Sequence, residues 1–189
     1  MKNIAGLAVF TLLCALVATP TSGIESTPDK SEPSWVYEIR IGALAHDVDG
    51  LWSGLRKESG VDFNAEIVFR HPSFPLLLGT VRPNSGLSIN NRGDTSKAYA
   101  GLLWGLEMKS GMFLNLGAGA VVHDGELETN EEDKKGLGSR VLFRIPIEFG
   151  YALNRRHRVS IAFDHVSNAS LAHPNEGLDT FGLRYGYRF

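Results

Sequence analysis

Cysteine is nearly absent from this chain of 189 residues, which contains only Cys14. A single cysteine cannot close a disulfide within the chain, and it cannot build a thiolate metal site by itself. Excess positive charge is also missing, because 19 Lys and Arg residues are balanced by 21 Asp and Glu residues. This balance argues against nucleic acid as a partner. Long apolar runs are absent after the N-terminal segment, so the sequence predicts no transmembrane helix.

Residues 1–23 have the pattern of a secretory signal peptide. An apolar run extends from Ile4 to Ala18, with a basic residue before it and small, turn-forming residues after it. The run is shorter than the ~20 residues that a helix needs to cross a bilayer. Residues 24–33 are polar and contain prolines, which predicts a flexible N-terminal arm. Residues 34–189 are then long enough for one domain with a sizeable core.

The remaining chain alternates between apolar and polar residues with the period of two that is typical of β-strands. In one such segment Phe63 and Ile67 share a face, while Asp62 and Glu66 share the other. Pro83 interrupts another segment and predicts a bulge there, because proline cannot donate to the strand ladder. Eight segments show the pattern, at residues 34–44, 61–69, 76–90, 98–108, 112–123, 140–153, 158–168 and 177–189.

The connections between these segments alternate in length. Long loops follow the first, fifth and seventh segments, whereas short turns follow the second, fourth and sixth. This asymmetry is typical of outer-membrane barrels. The sequence therefore predicts an all-β fold, an eight-stranded antiparallel up-and-down transmembrane β-barrel. A soluble lipocalin-like barrel in the periplasm is the alternative, because alternation alone does not say which face looks outward.

Two side-chain sets support the membrane barrel. Aromatic residues cluster at strand ends, as in an interfacial girdle: Trp35, Tyr37, Tyr185, Tyr187 and Phe189. The polar faces carry charges of both signs, which we expect to pair in the narrow lumen of an eight-stranded barrel. These charged residues are Glu38, Arg40, Glu66, Glu107, Arg144, Glu148, Arg184 and Arg188.

The last two segments place three reactive side chains on their apolar faces. In residues 158–168 the alternation that begins with Val159 continues to His165 and Ser167. In residues 177–189 the same parity includes Asp179. Ser, His and an acid are the components of a nucleophile–base–orienter relay. With both termini in the periplasm, all three side chains would face the outer leaflet, where lipid A carries its ester-linked acyl chains.

Three stretches resemble a known enzyme family. The segment HVSNASLAHPNEGLD is similar to the C-terminal signature of lipid A 3-O-deacylases of the PagL type, and AHDVDGLWSG and GDTSKAYAGLLWG also resemble that family. The resemblance implies an outer-membrane barrel that hydrolyses the ester at the 3 position of lipid A without a metal or other cofactor. It also implies lipopolysaccharide as the substrate and the outer membrane as the location. The oligomeric state stays open, including a homodimer.

The resemblance also implies roles for individual residues. Ser167 would be the nucleophile and His165 the general base. The acid falls on Asp179, where the best-known pattern has Glu, and Glu176 competes for the role although its parity is wrong. By its position after the nucleophile, Asn168 would help to hold the oxyanion. Asn175 would brace the loop.

Other interpretations of these residues remain. The reactive side chains could be ordinary strand-end residues of a non-enzymatic barrel, such as an adhesin or an envelope-stabilising protein. A soluble lipid carrier is a third class. Asp47 and Asp49 in the first loop are of the type that binds hard cations.

Overall fold

A computed structural model describes residues 34–49, 52–55 and 57–189. The predicted signal peptide and the whole predicted arm lie outside the described residues. No helix in the described part of the chain is long and apolar enough to span a membrane. The described strands are β1 (Val36–Ala45), β2 (Val61–Phe69), β3 (Phe74–Leu76), β4 (Gly79–Asn90), β5 (Lys97–Glu107), β6 (Met112–His123), β7 (Val141–Ala152), β8 (His157–Ser167) and β9 (Leu178–Arg188).

Eight of these strands close into an antiparallel barrel. Their order is β2-β1-β9-β8-β7-β6-β5-β4, and pairing between β2 and β4 closes the circle. The short strand β3 pairs only with the beginning of β4. The predicted eight-stranded up-and-down barrel is therefore confirmed, with one additional short strand.

The third predicted segment was right in its bounds and wrong in one detail. The barrel strand β4 lies within residues 76–90, and the short strand β3 before it forms a hairpin with it. The predicted bulge at Pro83 is absent, because β4 pairs with β5 in one continuous register through this residue. Pairing between β2 and β4 ends with Val68 opposite Asn84. The proline thus lies where β2 no longer requires a donor from β4.

The apolar faces of the strands point outward and the polar faces point into the lumen. On β2, Phe63 is 60% exposed, whereas Asp62 and Glu66 are buried at 0% and 1%. A lipocalin-like barrel would show the reverse distribution, because its apolar face would line the interior. The fold is that of an outer-membrane β-barrel.

Charged residues pair inside the lumen, as the sequence predicted. The guanidinium of Arg40 lies 2.7 Å from Glu38, 2.9 Å from Glu66 and 2.8 Å from Glu148. Such buried charges are tolerated because each has partners of opposite sign. The lumen is therefore filled by side chains.

Tyr37 is not part of the outward aromatic girdle, contrary to the prediction. The pairing of β1 with β2 shifts register between Val36 and Glu38. This irregularity turns Tyr37 toward the lumen, where the guanidinium of Arg82 lies 4.0 Å from its ring centre. Its hydroxyl donates to Glu107 at 3.4 Å. A one-residue irregularity reverses the face of a strand residue, and the alternation of the sequence did not reveal it.

The two ends of the barrel differ. One end, which we call the loop end, carries the first loop (46–60), the second loop (91–96), the third loop (124–140) and the fourth loop (168–177). The opposite end carries the short turns. A small apolar core lies at the loop end and combines lumen-facing strand residues with one residue of the third loop: Tyr99, Val121, Leu137, Leu142, Val166 and Leu178.

Candidate active site

The hairpin of β8 and β9 brings the three predicted side chains together. His165 and Asp179 are directly opposite each other in the strand register. His165 Nδ1 lies 2.6 Å from Asp179 Oδ1, and His165 Nε2 lies 3.0 Å from Ser167 Oγ. The imidazole thus connects a carboxylate to a hydroxyl. This is the arrangement in which a serine can be deprotonated as it attacks.

Local sequence explains this geometry. Alternation along β8 places His165 and Ser167 on the same outward face, two residues apart. Gly177 leads into β9 with a φ of +63°, a conformation that side chains rarely adopt. A Cβ at Gly177 would lie 3.4 Å from the imidazole Cε1. That distance is an ordinary contact, so it is the positive φ that favours glycine where the fourth loop enters β9.

The first loop covers the acid, which the sequence did not predict. The backbone N–H groups of Trp52 and Ser53 donate to Asp179 Oδ2 at 2.6 and 2.8 Å. The Trp52 ring lies edge-on to the imidazole of His165, with centroids 5.1 Å apart. As a result Asp179 is 0% exposed and the His165 side chain is 12% exposed. The resemblance of the first loop to the family was the one sign in the sequence that this loop matters to the site. The residue types in the loop did not indicate that its backbone N–H groups would bind Asp179.

Asp47 holds the loops together and is not available as a cation ligand. Its carboxylate lies 2.7 Å from Lys135 Nζ and accepts the backbone N–H groups of Lys57 and Glu58 at 2.7 and 3.0 Å. Within the described residues there is no group of three or more His, Cys, Asp and Glu side chains that could hold a metal ion. These contacts argue against a cation site formed by Asp47 and Asp49, because the Asp47 carboxylate is already engaged.

Glu58 connects three loops. Its carboxylate accepts hydrogen bonds from Thr95 in the second loop and from the Lys135 N–H in the third loop. It also lies 2.9 Å from His46 Nε2, while His46 Nδ1 lies 2.7 Å from Asp62. Burial by itself would raise the pKa of Glu58, but these donors lower it to about 2. Burial would lower the pKa of His46, yet its two carboxylate partners raise it. Glu58 and His46 therefore both favour their charged forms.

Glu176 does not contact the imidazole. Its carboxylate lies 2.5 Å from Lys57 Nζ and accepts the Gly136 N–H at 2.7 Å. Burial opposes the change, but the Lys57 contact and the Gly136 N–H lower the pKa of Glu176. Glu176 thus joins the first, third and fourth loops, and Asp179 is the acid that reaches His165.

Asn168 and Asn175 support the fourth loop. The Asn168 side-chain amide donates to the carbonyls of Leu137 and Pro174 at 3.0 and 2.8 Å. The Asn168 backbone N–H donates to Asn175 Oδ1 at 3.0 Å. Both kinds of donor on Asn168 are engaged, so its contacts support a bracing role and not the predicted oxyanion contact.

Solved structures share this fold. The crystal structure of the outer membrane enzyme PagL aligns with a TM-score of 0.60 at 18% identity and covers 79% of this chain and 99% of that chain. The N-terminal β-barrel domain of Pseudomonas aeruginosa OprF aligns with a TM-score of 0.54 at 10% identity, covering 84% of this chain and 100% of that chain. At these identities the similarity concerns the fold alone.

Sequence comparison goes beyond the shared fold and identifies the protein family. The lipid A deacylase PagL of Bordetella bronchiseptica is 35% identical over 77 residues, which make up 41% of this chain and 41% of that protein. The chain thus matches less than half the length of this relative. The sequence model of the family "Lipid A 3-O-deacylase (PagL)" matches residues 84–188, more than half of the chain, including β8 and β9. The chain therefore belongs to the lipid A 3-O-deacylase (PagL) family.

Proposed function

We propose that this protein is an outer-membrane esterase that removes the acyl chain linked to the 3 position of lipid A. Family membership supports the reaction and the substrate class. The observation that carries the proposal is the continuous contact from Asp179 through His165 to Ser167 on the outward face of the barrel. A relay on a lipid-facing surface suits a substrate whose ester lies at the boundary between sugar and hydrocarbon.

The geometry supports one step of the proposed reaction for each side chain. Ser167 Oγ attacks the acyl carbonyl while His165 Nε2 takes the hydroxyl proton. Asp179 accepts the Nδ1 proton of His165, which fixes the tautomer and stabilises the imidazolium. Collapse of the tetrahedral intermediate breaks the ester, and His165 returns the proton to the departing sugar oxygen. Water, deprotonated by His165, then hydrolyses the acyl-enzyme and releases a 3-hydroxy fatty acid.

Backbone donors after the nucleophile are suited to the oxyanion. Ala169 and Ser170 both have positive φ, at 52° and 61°. Neither of their N–H groups donates to another described residue. Since both donor types on Asn168 are engaged, we assign oxyanion stabilisation to these two N–H groups. Paired backbone donors are the usual means of stabilising such a charge.

The apolar wall beside the relay provides a surface for the acyl chain. Phe143 and Ile145 of β7 are the strand partners of Ser167 and His165. Both point outward and are exposed, as is Phe181 of β9. An acyl chain that lies along these residues keeps its hydrocarbon out of water, while its carbonyl reaches Ser167. The relay comes from one hairpin of one chain, so the proposal needs no second subunit and a homodimer stays a prediction.

Mass spectrometry of lipid A tests the proposal. The full chain is expressed in a Gram-negative host that lacks such an enzyme, beside Ser167→Ala and the control Ser160→Ala. Ser160 lies on the same strand but faces the lumen, where it bonds to Glu148 at 2.6 Å. Wild type and Ser160→Ala should remove one 3-hydroxyacyl chain from lipid A, and Ser167→Ala should remove none. Unchanged lipid A with wild type would favour the non-enzymatic barrel, and deacylation by a folded Ser167→Ala would refute the nucleophile.

A further inference from the structure

The carboxylate of Asp179 is held from two sides. Oδ1 contacts His165 Nδ1 at 2.6 Å, and Oδ2 accepts the N–H groups of Trp52 and Ser53. The first loop approaches the strand closely here, because the Val48 N–H donates to the Asp179 carbonyl at 3.0 Å. Among the described residues, the hydrogen bonds from the first loop to Asp179 all come from the loop's backbone.

Two backbone donors on one oxygen restrict the carboxylate. Rotation about the terminal bond of Asp is broad and roughly two-fold in the absence of partners. With Oδ2 held by Trp52 and Ser53, Oδ1 of Asp179 remains directed at the imidazole. The donors also solvate a charge on a face that otherwise meets lipid, where an unpaired carboxylate is costly. Neutral N–H groups do this without a cation that would compete with the imidazolium.

A buried lysine holds the first loop in this position. Lys135 of the third loop is 1% exposed. Its Nζ donates to the Ser53 carbonyl at 3.2 Å and lies 2.7 Å from Asp47 Oδ1. Its backbone N–H donates to Glu58 at 3.1 Å. Lys135 thus contacts the first loop before Trp52, at Asp47, and after it, at Ser53 and Glu58. Ser53 is also one of the two residues whose N–H groups donate to Asp179.

We propose that the first loop is a positioning element of the catalytic relay: the Ser53 N–H, held in place by Lys135, orients Asp179 and through it His165. This inference rests on the proposed esterase function. It assigns no contact with substrate to Ser53 or Lys135. It predicts that the first loop governs kcat, while KM for lipid A depends on other surfaces.

A pair of substitutions at one position isolates the backbone donor. Ser53→Pro removes the N–H, whereas Ser53→Ala keeps it. The Ser53 hydroxyl is a suitable group to remove because it is buried and has no hydrogen-bond partner among the described residues. Ser53→Pro should lower kcat about 10-fold to 100-fold, as expected for a misplaced catalytic group, with KM changed less than about 3-fold. Ser53→Ala, which keeps the N–H donor to Asp179, should lose much less of its kcat than Ser53→Pro.

A double-mutant cycle distinguishes positioning from general damage. If Ser53 acts through the Asp179 carboxylate, Ser53→Pro should add less than about 3-fold to the loss caused by Asp179→Asn. The rate at which a fluorophosphonate probe labels Ser167 provides a second readout that does not need lipid A. Full kcat in Ser53→Pro, an effect on KM alone, or an undiminished loss in the Asp179→Asn background would overturn the inference.

A second variant protects the test against misfolding. If Ser53→Pro yields no folded barrel, Lys135→Met combined with Asp47→Asn releases the same loop without leaving a buried charge unpaired. The same double-mutant cycle with Asp179→Asn then shows whether the loop acts through Asp179 or whether its release damages the site in general. Failure of both variants to fold would make the loop's role structural and would also overturn the inference. Wild type without activity refutes the proposed function, whereas active wild type with fully active Ser53→Pro refutes only the positioning role.

Discussion

The hairpins β8–β9 and β4–β5 reach the loop end with opposite distributions of polarity. In β8–β9 the last strand pair is Val166 with Leu178, and the pair before it is His165 with Asp179. In β4–β5 the corresponding last pair is Ser88 with Lys97, and Leu87 with Ala98 precedes it. Thus β8–β9 turns apolar residues inward and polar residues outward. The other hairpin does the reverse, with Leu87 and Ala98 outward and exposed.

This contrast shows what a membrane barrel needs in order to carry a relay on its outer wall. Both hairpins pair in a continuous antiparallel register, and the apolar and polar residue types are exchanged at two successive pairs. The inward pair Val166–Leu178 packs into the apolar core beneath the loops. The outward carboxylate is compensated by the first loop, which supplies two N–H donors. The inward apolar pair is therefore stabilised by packing in the core, and the outward carboxylate is stabilised by hydrogen bonds from the first loop.

The largest effect that we expect comes from replacing the outward polar pair. His165→Ala should lower kcat at least about 10⁴-fold, because no group would then accept the Ser167 proton. Asp179→Asn should leave more activity, since the acid of such relays orients and stabilises without transferring a proton. Both are measured as release of 3-hydroxy fatty acid by the purified, folded barrel.

Glu176→Gln is the matched control for the acid. Its contact with Lys57 is partly exposed, and such ion pairs contribute little to stability. We expect kcat to change less than about 3-fold. Full activity in Asp179→Asn together with a large loss in Glu176→Gln would reassign the acid.

The sequence was informative where the backbone repeats and uninformative where it does not. Period-two alternation predicted the outward faces of His165 and Ser167, and the pairing of the last two strands followed from the up-and-down order. The inward orientation of Tyr37 was not predicted, because a register irregularity cannot be recognised in the alternation of the sequence. The contact of the first loop with Asp179 was not predicted, because its donors are the backbone N–H groups of Trp52 and Ser53. Every non-proline residue has such a group, so the residue types give no sign of the contact. Only the folded positions of the loops reveal such a contact.

The inward apolar pair can be tested against the lipid-facing wall of the same strand. Leu178 is 0% exposed and Leu183 is 67% exposed. Leu178→Ala should lower the free energy of unfolding by about 3 kcal/mol, because a cavity remains in the core. Leu183→Ala should cost about 1 kcal/mol less than that, since lipid chains refill the space. Urea titration of the barrel in vesicles measures both, and equal losses would contradict a packed core beneath the relay.

The smallest effect should come from placing a carboxylate on the opposite hairpin without a loop to cover it. Ala98 occupies the same place in β4–β5 that Asp179 occupies in β8–β9, but its partner is Leu87. Ala98→Asp should lower the free energy of unfolding by about 1 kcal/mol, a modest cost because the site lies near the interface and not at the bilayer centre. Ala98→Asn should cost less, since it adds no charge. Urea titrations of wild type and the two variants at about pH 8 measure these differences. Equal penalties for Ala98→Asp and Ala98→Asn would show that the added charge, and therefore the missing N–H donors, does not separate the two hairpins.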